Sequence, residues 1–242
     1  MNSAPPTPGV AVASAFQRDG FAALPPWFSE EECAALTLEL SQLLGVQQLA
    51  SRNKLGGLRN LLRICPAVGR LANSPKTRDL LEHVSGQTVF PVRALFFDKT
   101  PAANWRVPWH QDLTIAVAQK VECPGFAGWS LKAGIPHVQP PAAILEGMLA
   151  LRLHLDDCTA ENGALRVIPR SHLGGKLLPG AIPRVVATNP EVVCAIPRGG
   201  AMVMRPLLLH ASSPATHPAH RRVLHIEYAT AELPGGLKWF DA

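Results

Sequence analysis

The apolar positions of this chain fall into two textures. Up to about residue 85 they recur at helical spacing, and from about residue 88 they gather in short runs broken by Pro, Gly and Asp. In SEEECAALTLELSQLLG, residues Cys33, Leu36, Leu40, Leu43 and Leu44 share one helical face. Ser29 followed three residues later by Glu32 is a capping box, and Gly45 is the expected stop. A second helix is predicted over roughly 74–84, with a serine cap.

Beyond residue 88 the runs TVFPVRALFFD, ILEGMLALRLHLDD, GALRVIP, EVVCAIP, GAMVMRPLLLHASS and RRVLHIEYATAE read as strands with turn punctuation. Strands in series without intervening helices predict a double-sheet barrel or jelly roll, not βαβ units. The expected class is therefore mainly β with flanking helices. We expect one domain over 1–242: a flexible leader over about 1–9, helical support over about 10–85 and a β core over about 88–232. Residues 118–143, rich in Pro and Gly, are expected to be a long binding loop or lid.

Composition narrows the function. Apolar residues make up 47% of the chain and charged ones 17%, enough to bury a core. No apolar run reaches about 18 residues, which argues against a membrane span. The first residues lack a secretory pattern, and Cys33, Cys65, Cys123, Cys158 and Cys194 are scattered and never in Cys-x-x-Cys. That favours reduced thiols in a cytoplasmic setting over disulfides or zinc–thiolate. The net charge of +5 comes from dispersed residues, with only Arg221 and Arg222 adjacent, so a nucleic-acid partner is not expected. Oligomeric state is not encoded legibly.

Phosphate-cradling glycine motifs and a Gly-x-Ser-x-Gly elbow are absent from the sequence. What remains is histidine and carboxylate chemistry. In VPWHQDL, strand alternation would put His110 and Asp112 on one face with Gln111 opposite. Alone, His-x-Asp is more simply two polar residues in a turn. With a further imidazole it would complete a 2-His-1-carboxylate facial triad, the ligand set of non-haem Fe(II) oxygenases. His210 is the leading candidate for that imidazole. It ends the apolar run AMVMRPLLLH and precedes the small residues ASS, with Arg221 eleven positions on. His225, on the last strand, is the second candidate.

Four segments, in order, carry a resemblance. DGFAALPPWFSEEECAAL, FFDKTPAANWRVPWHQD, LRLHLDDCTAENGALRVIPRSH and HASSPATHPAHRRVLHIEY resemble the phytanoyl-CoA dioxygenase family of Fe(II)- and 2-oxoglutarate-dependent oxygenases. The resemblance implies a double-stranded β-helix of the cupin-like, jelly-roll kind. It implies His110, Asp112 and His210 as iron ligands, 2-oxoglutarate as cosubstrate and O2 as oxidant. Arg221 matches the arginine that meets the C5 carboxylate of the cosubstrate. Alternation sends the adjacent Arg222 to the opposite face, so one of the two does this, and spacing favours Arg221. Ser212, Gln111 and Trp129 match further cosubstrate-pocket positions. Lys132 and His137, in the long loop, are the candidate substrate contacts, while Phe126 and Trp129 read equally well as a cluster that holds the loop closed. One departure stands out: Arg170 occupies the glycine place of the family's Pro-Gly-Ser-His, which should alter the local backbone.

The implied reaction is hydroxylation of an unactivated C–H bond of a small molecule, with release of succinate and CO2. Asp112 favours this over halogenation, since halogenating relatives lack that carboxylate. Two other readings remain: a zinc hydrolase using the same ligands, and a barrel that binds a small ligand without turnover.

Overall fold

A computed structural model describes residues 8–24, 26–51 and 57–241. Helix α1 (Pro8–Asp19) leads into β1 (Phe21–Leu24) and α2 (Glu30–Ser51). After β2 (Gly57–Leu58) come α3 (Leu61–Ile64), α4 (Pro66–Asn73) and α5 (Pro75–Ser85). Strands β3 (Phe90–Lys99), β4 (Val107–His110), β5 (Ile115–Ala116), β6 (Ala127–Lys132) and β7 (Ile135–Gln139) follow. The chain continues through α6 (Ala142–Glu146), β8 (Leu149–His154), β9 (Leu165–Val167) and α7 (Ile182–Thr188). It closes with β10 (Val192–Cys194), β11 (Ala201–Met204), β12 (His210–Ser212) and β13 (Arg221–Ala229).

The larger sheet has the order β1-β11-β8-β13-β3-β2 and the smaller β10-β9-β12-β4, with antiparallel pairing throughout. This is the predicted jelly roll. Period-two alternation assigns each side chain of the larger sheet to one of two faces. Ala94, Phe96, Leu151, Leu153, Val203, Leu224, Ile226 and Tyr228 turn outward and bury against Phe16, Leu36, Leu40, Leu81 and Val84 of the helices. The alternate residues of β3, β8 and β13, among them Arg93, Arg152, Arg221, His225 and Glu227, turn inward and border a cavity. The helical layer thus shields one face so that the other can be polar.

Local signals explain most helix ends. The capping box is present: Glu32 N donates to Ser29 Oγ (3.2 Å) and Ser29 N donates to a Glu32 carboxylate oxygen (2.7 Å). Ser74 caps α5 by accepting from Thr77 N. Gly45, the expected stop, lies inside α2, which runs on to Ser51. A glycine ends a helix when it turns left-handed, and Gly45 does not. The expected leader also needs correction, since α1 begins at Pro8, a residue type suited to a first helical turn. Residues 1–7 of that leader lie outside the described residues.

Two further expectations change. The stretch read as helical support contributes β1 and β2 to the larger sheet. Residues 118–143 are not a plain loop: β6 and β7 form a hairpin that pairs with β5 in a third sheet.

Candidate metal centre

The geometry of the site begins with strand pairing. Strands β12 and β4 are antiparallel and set His210 directly opposite His110. The two imidazole centroids are 4.2 Å apart. Strand β4 ends at His110, and Asp112 follows in irregular backbone anchored by its own N–H donating to Pro206 O (2.9 Å). Each histidine is oriented by the backbone two residues before it: His110 Nδ1 lies 2.9 Å from Pro108 O, and His210 Nδ1 lies 2.8 Å from Leu208 O. A carbonyl only accepts, so each Nδ1 carries the proton and each Nε2 keeps its lone pair.

Those two Nε2 atoms face the same carboxylate, at 3.7 Å from Asp112 Oδ1 for His110 and 3.6 Å from Oδ2 for His210. The three donor atoms lie within 4.8 Å of one another. That is too long for direct hydrogen bonds. It leaves three donor atoms converging on one space, wider by several tenths of an ångström than the roughly 3 Å between donors that share a face of one ion at about 2.1 Å. Burial holds His210 below the usual imidazole range, leaving a neutral nitrogen donor. Burial alone would raise the Asp112 carboxyl, but His210, His225, His110 and Arg93 outweigh it and keep the group ionised. Two imidazole nitrogens and a carboxylate fit a divalent metal of the facial-triad kind.

The triad borders a cavity of about 500 Å³. Arg221, at the start of β13, is buried and lines it, and its Nε finds no hydrogen-bond partner among the described residues. Arg222 turns the other way and forms a two-point pair with Asp156 (2.7 and 2.6 Å). Around Arg221 the charge is uniformly positive. Lys99 Nζ donates to Ser212 Oγ (2.8 Å) and Ser213 O (2.6 Å), and its pKa is pushed down to about 8 by burial and then by Arg221. Arg152 Nη1 lies 3.1 Å from His225 Nδ1, and burial followed by Arg221 lowers it to about 10. His154, with neither ring nitrogen partnered, is driven to about 3 by burial and then by Arg152 and Arg221. A buried arginine with an unused donor among other cations is a pocket awaiting an anion.

The remaining predicted positions divide. Ser212 lines the cavity, but its hydroxyl already accepts from Lys99 and donates to Gly163 O (2.9 Å). Gly163 takes φ +84°, and a Cβ there would sit 2.7 Å from Ser213 O, so the glycine of the ENGAL turn serves the backbone. Gln111 borders the cavity, yet its amide is saturated: Nε2 donates to Gly175 O and Leu207 O, and Oε1 accepts from Leu177 N. It ties loops together. Trp129 is not among the lining residues. It packs against the cluster containing Phe126, because β6 sends it and Lys132 to opposite faces. The loop-closing reading of that pair is the one that fits. Lys132 does line the cavity and donates to Thr114 Oγ1 (3.0 Å). His137 does not line it; the ring is buried in β7 with Nδ1 against Ile135 O (3.0 Å).

Sequence reasoning missed Arg59, Arg93, Arg152 and Glu227, all of which line the cavity; His225, the second candidate for the imidazole, lines it too but stands outside the convergent triad. One signal was available: Arg152 interrupts LALRLH, a strand buried along its whole length, where a charge needs a purpose.

Among known proteins, a family model described as Phytanoyl-CoA dioxygenase (PhyH) matches residues 16–223. A protein named "Probable alpha-ketoglutarate-dependent hypophosphite dioxygenase" from Stutzerimonas stutzeri is 26% identical over 88% of this chain and 76% of its own length. The ectoine dioxygenase of Bordetella bronchiseptica is 24% identical over 65% of this chain and 47% of its own, so the chain spans about half of that relative. In structure, EctD from S. alaskensis, solved with 2-oxoglutarate and 5-hydroxyectoine, superposes with a TM-score of 0.71 at 21% identity. The match covers 95% of this chain and 78% of that one. With the family model spanning most of its length, the chain belongs to the phytanoyl-CoA dioxygenase family.

Proposed function

We propose that the protein is an Fe(II)- and 2-oxoglutarate-dependent dioxygenase that hydroxylates a C–H bond of a small molecule, with His110, Asp112 and His210 as the iron ligands. One observation carries the reading: three convergent donors share a cavity with a buried arginine whose Nε has no protein partner. EctD, a structural neighbour, binds Fe and 2-oxoglutarate in its own crystals, which supports the same pair of ligands here. When bound, iron and 2-oxoglutarate supply the oxidising chemistry, in which O2 and the cosubstrate are consumed, succinate and CO2 leave, and one oxygen atom enters the substrate.

The chain's residues supply the rest. The two strand-held imidazoles present lone pairs without reorganisation, and Asp112 completes a face of three donors that leaves the opposite side open. Arg221 pairs with the distal carboxylate of the cosubstrate, and Lys99 steadies the wall behind it through Ser212. Asp112 fills the position that a halide would take, so oxygen transfer is favoured over halogenation. A zinc hydrolase would leave the cations around Arg221 without a task.

The test is spectroscopic. Anaerobic protein given Fe(II) and 2-oxoglutarate should develop a weak visible charge-transfer band. Arg221→Ala should raise the 2-oxoglutarate needed by on the order of 100-fold, the scale for removing one member of a desolvated charge pair. Absence of the band, with zinc held tightly instead, would overturn the reading. A strong effect of Arg222→Ala in place of Arg221→Ala would overturn the assignment of the arginine.

A further inference from the structure

The cavity holds more positive charge than iron and 2-oxoglutarate would consume. Arg59, Arg93, Lys132, Arg152 and Arg221 line it, against the two carboxylates Asp112 and Glu227. A divalent metal would add two charges and a dianionic cosubstrate would remove two, so three positive charges stay unanswered. Arg93, Arg152 and Arg221 are buried, Lys132 is half-buried and Arg59 is exposed, so the excess runs from the interior to the cavity mouth, where an incoming anion would meet it.

The excess is also divided in space. Strand β13 sets Arg221 opposite Lys99 and Glu227 opposite Arg93. Six residues of strand separate these positions, roughly 20 Å at about 3.3 Å per residue. A five-carbon diacid anchored at Arg221 therefore does not reach the backbone level of Arg93. At that second end Glu227 answers Arg93 (3.1 Å), which leaves Arg59 and Lys132 in excess. Lys132 immediately precedes the two-residue turn Ala133–Gly134, whose φ values of 50° and 78° form the tight hairpin that holds it in place. Ala133 in a left-handed conformation is strain kept beside the cavity. The ammonium makes one hydrogen bond, to Thr114, and has further donors for a ligand.

Resting on the oxygenase reading, we infer that the substrate is a small oxyanion, a phosphate, phosphonate or carboxylate, whose charged group is clamped by Arg59 and Lys132, beside the Arg93–Glu227 pair, at the end of the cavity away from Arg221. The neighbouring charges agree: Lys132 is held below its ordinary pKa by burial, then by Arg93 and Arg59, and Arg59 is lowered by burial, then by Arg93. The clamp leaves the rest of the molecule directed toward the triad, which lines the same cavity.

Calorimetric titration tests this without turnover. Anaerobic protein loaded with Fe(II), with one equivalent of 2-oxoglutarate bound, is titrated at low ionic strength with inorganic phosphate, methylphosphonate, acetate and neutral glycerol. At least one oxyanion should bind at a single site where glycerol does not, and the ranking of the three identifies the headgroup. Lys132→Gln should weaken that binding about 10-fold while leaving 2-oxoglutarate affinity unchanged; the residue sits in a hairpin, and its loss strands no buried carboxylate. Oxyanion binding no better than glycerol, or unaffected by Lys132→Gln, would overturn the inference. So would a loss of 2-oxoglutarate affinity equal to the loss of oxyanion affinity, which would assign the cluster to the cosubstrate. If 2-oxoglutarate itself fails to bind, the oxygenase reading fails separately, and the Lys132→Gln comparison still decides the oxyanion site.

Discussion

Raising the pH from about 8 to 10.5 should stabilise the fold relative to a Lys99→Met variant. Lys99 is 1% exposed, and burial followed by Arg221 takes its pKa from 10.5 to about 8. A lysine with a depressed folded pKa binds its proton more weakly folded than unfolded. As pH falls through 10.5 the unfolded chain is protonated first. The contribution of Lys99 to stability is therefore greatest above 10.5, declines down to about 8 and is level below that. At 1.36 kcal/mol per pH unit the full swing is roughly 3 kcal/mol, a ceiling for a group that keeps two hydrogen bonds when charged. Removing those bonds in Lys99→Met costs about 1 kcal/mol each, but that offset does not vary with pH. Cys65 and Cys194, pushed up to about 11 and about 12 by burial, bend both curves alike and cancel in the difference. Urea unfolding of both proteins at intervals from pH 7.5 to 10.5 is the assay. The difference should shift in favour of wild type by at least about 1 kcal/mol with rising pH; parallel curves would refute the argument. A corollary is that 2-oxoglutarate at Arg221 raises the Lys99 pKa, so its binding near pH 8.5 should take up protons, seen as heat that depends on the buffer.

Other consequences follow from single contacts. Arg170 holds φ +67°, a left-handed conformation costing about 1–2 kcal/mol for an L residue. Arg170→Gly relieves this but adds unfolded-state entropy, so a net gain of about 0.5–1 kcal/mol is expected in urea unfolding. Tyr228 is fully buried and donates to Ala72 O (3.1 Å), joining β13 to α4; Tyr228→Phe should cost about 1–2 kcal/mol and leave metal binding unchanged. Arg222→Ala removes the two-point pair with Asp156 and should cost about 1–2 kcal/mol. Its 2-oxoglutarate affinity should match wild type by calorimetry.

What could be read in advance divides by range along the chain. Capping at Ser29 and Ser74 depends on contacts three residues apart, and both are where the pattern puts them. The inward and outward faces of β3 and β13 follow from alternation alone. Gly45 misleads because glycine is permitted, not required, at a helix end. The hairpin within 118–143 is hidden because its β6–β7 turn is Ala133–Gly134, where alanine is not a residue that advertises a left-handed turn position, while its glycines and prolines look locally like loop. The position of Arg170 was flagged correctly, but the expectation reversed the outcome: the left-handed backbone persists and arginine bears the strain. For the site, spacing and resemblance picked out His110, Asp112 and His210, which the fold brings together. Trp129 was misassigned because one residue of strand parity separates cavity from core. The cationic lining from Arg59 to Arg152 comes from four separate segments, and no local pattern unites them.

The paired orientation of the two imidazoles has a consequence for how this centre can vary. In each case the ring is steered by a carbonyl two residues earlier in the chain, at Pro108 within β4 and at Leu208 just ahead of β12. No other side chain is needed to choose the tautomer. The information that prepares these nitrogens is therefore written in main-chain geometry, which every amino acid carries. The side chain at 108 takes no part in aiming its ring. Leu208, fully buried, is held by core packing while its carbonyl alone aims His210. Much of the surrounding wall can therefore change while the donor atoms stay aimed. Such a centre can accept new cavity linings, and hence new substrates, without first rebuilding its ligands.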